Sequence, residues 1–154
     1  MARHSNTNNT GDGQNVLAGI TTGRFNSALG FDALLVNLGA NFNTGCGAGT
    51  LLLNTADQGT AVGAGALLSN TTGQHNTGLG TFALFTNSTG EFNNSVGANS
   101  LLFNVDGDSN NALGESALFN NISAAGNTAI GDVALANNDS DGAALRLPDK
   151  RCQH

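Results

Sequence analysis

Few side chains in this sequence have the type and spacing to do chemistry. The histidines are His4, His75 and His154, and two of the three lie in terminal stretches. A catalytic imidazole needs a nucleophile and an orienting acid. No Gly-x-Ser-x-Gly motif accompanies them, so no catalytic residue is assigned and no enzyme is expected. Cys46 and Cys152 are too few for a disulfide scaffold, and their spacing matches no metal motif. The oxygen-rich turns Asp106-Gly107-Asp108-Ser109-Asn110 and Asp139-Ser140-Asp141-Gly142 resemble halves of a calcium loop. Asp106, Asp108, Asp139 and Asp141 are therefore the metal candidates, with calcium the one cofactor considered. Neither loop carries the downstream bidentate Glu of an EF-hand, and Asp and Asn suit tight turns without any metal. A partial hydroxyl column, Thr10, Ser27, Thr44, Thr60, Thr77 and Thr128, suggests an ice-binding face, but Asn94 and Asn111 interrupt it.

Composition says what must position these groups. The 154 residues include 22 Gly and 23 Asn, one Pro (Pro148), 8 Phe and no Trp or Tyr. Charged residues make up 10 %, against about 25 % in an ordinary domain. Gly and Asn are poor helix formers, which argues against a helical bundle or coiled coil. Collagen would need Gly at every third residue and abundant Pro. The formal net charge is −6, and no Lys or Arg lies between Phe25 and Leu145. A body without cations cannot neutralise phosphates, so neither nucleic acid nor an anionic membrane surface is an expected partner. No run of about 20 apolar residues predicts membrane insertion, and Met1–Thr10 carries no apolar segment of the signal-peptide kind.

The chain is a repeat. Glycines recur at Gly13, Gly30, Gly47, Gly63, Gly80, Gly97, Gly114 and Gly131, at intervals of 17 residues except for 16 between Gly47 and Gly63. Taking these as position 0, Leu occupies position +4 each time: Leu17, Leu34, Leu51, Leu67, Leu84, Leu101, Leu118 and Leu135. Position +3 is small or β-branched, and Asn recurs at −4 and +7. Position −1 is aliphatic or Cys in seven repeats, so Cys46 is expected to behave as a small buried hydrophobe. Sequons such as Asn70-Thr71-Thr72 arise from this turn chemistry and would matter only in a secretory host.

The period is too short for paired-helix repeats and carries two turn signals. It fits two short strands and two turns, one coil of a β-solenoid. The expected fold is an all-β parallel β-solenoid or β-roll of about eight coils. It comprises a polar lead-in at 1–8, the repeat domain at 9–138, and a tail or cap at 139–154. Coils stacked at about 4.8 Å make a rod about 38 Å long, with the glycines as structural turns and the +4 leucines as the core ladder. Adjacent strand residues face opposite sides. Position +5 should then face outward as a strip of Leu35, Leu52, Leu68, Phe85, Leu102 and Phe119, the predicted oligomer interface, unless a bend turns both columns inward. Open solenoid ends template further stacking unless capped.

Asn127-Thr128-Ala129-Ile130-Gly131-Asp132-Val133-Ala134-Leu135 resembles the head repeat of YadA-like trimeric autotransporter adhesins, as do residues 26–34 and 59–67. The family repeat is usually shorter, and this chain shows no neck motif, coiled-coil stalk or membrane anchor. The resemblance implies a left-handed parallel β-roll, a homotrimer, an extracellular or cell-surface location, and host-surface or matrix ligands on the outer faces. The expectation is a non-enzymatic structural or adhesive module. The alternative is a subunit polymerising end to end into an extracellular filament, with an ice-binding solenoid set behind both.

Overall fold

The computed structural model describes residues 8–138 and the strand Leu145–Arg146. Eight three-residue strands recur once per coil: β1 (Thr10–Asp12), β2 (Ser27–Leu29), β3 (Thr44–Cys46), β4 (Thr60–Val62), β5 (Thr77–Leu79), β6 (Asn94–Val96), β7 (Asn111–Leu113) and β8 (Thr128–Ile130). A ninth, β9 (Leu145–Arg146), follows. All nine form one parallel sheet in sequence order. Each pairing keeps equivalent positions opposite, as in Ser27↔Thr44 and Thr44↔Thr60. The molecule is an all-β solenoid, without helix among the described residues.

Each coil holds one strand, not the expected two. The Ala-Leu-Leu segment is turn instead. The cause is backbone conformation. Position +4 lies at positive φ in every coil, for example Leu34 at 52° and Leu84 at 53°. Positions +2 and +12 do the same among the described residues, as at Asp32 (55°) and Phe42 (59°). Left-handed residues interrupt the alternation of a strand, so two consecutive side chains can face the same way. Ala33 at +3 and Leu34 at +4 are both fully buried.

A left-handed Leu costs about 1–2 kcal/mol, close to the roughly 2 kcal/mol gained by burying its side chain. A single coil therefore barely holds itself. Stability comes from the neighbours, because each coil hydrogen-bonds to the next throughout its circuit. Leu34 donates its N–H to the Thr50 carbonyl at 2.9 Å and Val36 to Leu52 at 3.0 Å.

The interior has an apolar layer and a polar one. Leu17, Leu34, Leu51, Leu67, Leu84, Leu101 and Leu118 are fully buried, and Leu135 is half-buried at the last coil. Small side chains at −2 and +3 fill the space beneath the sheet. In the sixth coil Ser95 donates to the Ser100 carbonyl at 2.8 Å, and the two hydroxyls meet. The polar layer is Asn. At +7, Asn87 donates to Asn70 Oδ1 at 2.8 Å and to the Gly90 carbonyl at 2.9 Å, and accepts from Asn104 at 2.7 Å. At −4, Oδ1 accepts the backbone N–H of the next coil, as Asn26 Oδ1 does from Asn43 at 2.8 Å. Buried amides are thus satisfied between coils rather than within them.

The glycine column is required on two counts. Gly63 has φ of 121°, and a Cβ there would lie 2.6 Å from the Gly80 carbonyl oxygen. The coil that is one residue short keeps its strand, Leu and +7 Asn columns in phase. Ala56 takes the buried place held by Ala40 and Gly73, and the missing residue is the exposed +9 position.

Candidate interaction surface

Within each strand the middle residue points inward and its neighbours outward. Gly11, Ala28, Gly45, Ala61, Gly78, Ser95, Ala112 and Ala129 are all buried. Position −3 therefore forms an outer column of Thr, Ser and Asn, and position −1 forms a second one beside it. The −1 column is apolar and open. Leu29 is 52 % exposed, Leu113 48 %, Val62 41 % and Val96 36 %. Cys46 stands in this column half-buried, with Leu29 and Val62 on either side, which corrects the expectation that it is a buried hydrophobe. Shallow grooves run between the two columns. One is lined by Thr10, Asp12, Ser27, Leu29, Thr44 and Cys46, the other by Asn94, Val96, Asn111, Leu113, Thr128 and Ile130.

This strand face is almost free of charge. Among the outward positions of β1–β8, Asp12 is the one charged residue. The remaining described carboxylates, Asp32, Asp57, Glu91, Asp106, Asp108, Glu115 and Asp132, lie on the turns. Comparison with family models, with curated proteins and with solved structures gave no match. The surface must therefore be read from its own chemistry.

The +5 column, the expected oligomer interface, is less open than a strand at +4/+5 would make it. Leu35, Leu52, Leu68, Phe85, Leu102 and Phe119 are half-buried, neither core nor open strip. Some pack onto neighbouring rings. Phe85 meets Phe82 edge-on at 5.3 Å, and Phe119 meets Phe103 edge-on at 5.2 Å. The expectation rested on a strand at +4/+5, and the positive φ at +4 removes that strand.

A corner column at +12 carries exposed rings. Phe25 stacks on Phe42 at 5.2 Å and His75 on Phe92 at 4.8 Å, with Gln58 between the two pairs. Stacking covers one face of each ring.

Asp106 and Asp108 are exposed on one turn, and Asp108 Oδ1 accepts the Glu91 backbone N–H at 2.7 Å. Among the described residues no group of three or more His, Cys, Asp or Glu side chains comes together as a metal site would need. Asp139, Asp141, His4, His154 and Cys152 lie outside the described residues. The sequon residue Asn70 is a fully buried rung of the +7 ladder. Sequence reasoning missed the −1 column as surface. The signal was present in triplets such as Thr60-Ala61-Val62, where only the middle residue is small enough for the interior.

Proposed function

We infer that this chain is a non-enzymatic, extracellular structural or adhesive module that associates side by side through its strand face. The observation that carries the reading is the −1 column, an aliphatic ladder from Leu29 to Ile130 left open on a face with a single charge. Soluble monomers rarely leave so long an apolar strip uncovered. Electrostatics permits contact at this face. The body is acidic, so two copies repel at the carboxylate-bearing turns, and the strand face, with Asp12 as its one charge, lets them approach with little desolvation of carboxylates. The resemblance to YadA-like head repeats supports three chains and an outer surface that contacts host or matrix ligands.

Sedimentation equilibrium across a concentration series tests this. A discrete species near three times 15.4 kDa is expected. A 15.4 kDa monomer at all concentrations overturns the reading. Leu79→Asp combined with Leu113→Asp should return the assembly to monomers that keep the β signature in circular dichroism.

A further inference from the structure

Apart from the shortened coil, where Gly59 stands at −4, the junctions between coils are alike until the last. At the other corners a −4 Asn accepts the next coil's backbone N–H, as Asn110 Oδ1 does from Asn127 at 3.0 Å. The same Asn sends its Nδ2 to a carbonyl of the next coil, as Asn110 does to Ala124 at 2.8 Å. Asn127 breaks both patterns. It is fully buried, its Oδ1 has no hydrogen-bond partner, and its Nδ2 donates to Asn110 Oδ1 at 3.1 Å and to the Ala125 carbonyl at 3.3 Å rather than to a carbonyl of a following coil. Native folds seldom leave a buried acceptor unpaired.

The strand edge beside this corner is nonetheless covered. β9 pairs with β8 in the 17-residue register, Thr128↔Leu145 and Ala129↔Arg146. Its sequence does not continue the coil. Arg146 takes the register position that holds only Gly, Ala or Ser in β1–β8. Pro148 stands 17 residues after Gly131, where the glycine column would continue. Gly131 has φ of 116° and donates its N–H to the Leu113 carbonyl at 2.7 Å. Proline has neither that φ nor an N–H. β9 thus covers the sheet edge at β8, while Asn127 Oδ1 at the adjoining corner stays unsatisfied.

We propose that the C-terminal end of the solenoid is a docking site for the first coil of a second copy, held closed in this chain by β9. The occupant follows from the translational sameness of the junctions. The first coil carries the same strand, Thr10–Asp12, and the same corner glycine, Gly13 at 138°. Asn9 stands at its −4 corner, as Asn26 and Asn110 do in theirs. Seated on the last coil, it would continue the sheet at β8 and bring a backbone N–H to Asn127 Oδ1. The contact is axial, so it is independent of side-by-side association through the strand face.

The test compares the full chain with a chain ending at Asn138, by sedimentation velocity and electron microscopy. The full chain should give a discrete species. The shortened chain should give fibres whose mass grows with concentration. Arg146→Pro in the full chain should do the same, because proline cannot donate to the ladder. That variant covers the case in which the shortened chain fails to fold. A small folded domain fused directly ahead of Asn8 in the shortened chain should restore a discrete species, because it blocks the first coil. Folded, discrete species from both the shortened chain and Arg146→Pro overturn the proposal, as do fibres from the fused chain. Adding Leu79→Asp and Leu113→Asp to the shortened chain should thin the fibres without shortening them, which separates failure of the axial contact from failure of the lateral one.

Discussion

Asn43 Oδ1 accepts the backbone N–H of Gly59 at 2.7 Å. The −4 ladder thus runs into a residue that has no amide side chain to hand it on. Asn76, one coil later, restarts it by accepting from Asn93 at 2.9 Å. The interruption falls in the shortened coil and is a local weakness. Gly59→Asn should repair it. The backbone there needs no positive φ, and a Cβ would sit 3.1 Å from Asn43 Oδ1 and 3.2 Å from a Leu51 methyl, a fit requiring shifts of tenths of an ångström. A recovered hydrogen bond and a stiffer unfolded chain should together stabilise by about 1 kcal/mol. A rise in Tm of about 2–4 °C is the expected readout, and a fall would show that Leu51 cannot move.

The +7 ladder should be sensitive to the direction of its hydrogen bonds. Asn87 donates to Asn70 Oδ1 and the Gly90 carbonyl while accepting from Asn104. Asn87→Asp keeps the shape and removes both donors, leaving three buried oxygens facing one another. A loss of about 3 kcal/mol or more is expected by urea denaturation. Asn120→Asp, on the exposed neighbouring position, should cost less than about 0.5 kcal/mol.

The left-handed backbone at +4 should invert the usual order of small substitutions. Leu84→Ala removes a fully buried side chain and should cost about 3 kcal/mol, or about 10 °C in Tm. Leu84→Gly removes one more carbon and relieves the strain at φ of 53°, so it should be no less stable than Leu84→Ala. In ordinary strand or helix positions Gly is worse than Ala by roughly 0.5–1 kcal/mol. Thermal melts of the two variants decide the point.

Calcium should not act as a structural ion on the described body. Calcium takes about 6–8 oxygen ligands, and Asp106 and Asp108 are the only carboxylates on their turn, with Asp108 already engaged by the Glu91 N–H. Millimolar calcium is expected to leave the Tm of a chain ending at Asn138 unchanged. A rise abolished by Asp106→Asn would establish the site.

The coil repeat was legible because ladders make the sequence repeat itself. A residue that stacks on its own kind, such as Leu84 or Asn87, returns at the same phase in every coil. The backbone was less legible. Leucine has no preference for positive φ, so nothing local announces the left-handed conformation of Leu34. Without it, +4 and +5 read as neighbours on a strand with +5 fully outward, whereas Leu68 and Leu102 are half-buried and Leu79 and Leu113 at −1 are exposed. The small residue at −2 was the better guide. Ala61 and Gly78 are where the sheet meets the core, and their size fixes which flanking side chains must face out.

The shortened coil carries one more consequence. It loses its +9 residue, yet Thr44↔Thr60 and Thr60↔Thr77 keep their register. The corner between the two Asn columns therefore gives up a residue without shifting the strands, and acts as a length-tolerant joint. Such a joint can accept added residues as readily as it gives one up. Foreign peptides grafted between Thr72 and Gly73, or between Thr89 and Gly90, would stand in a row at one coil spacing, making the rod a ruler for displaying short sequences at fixed intervals.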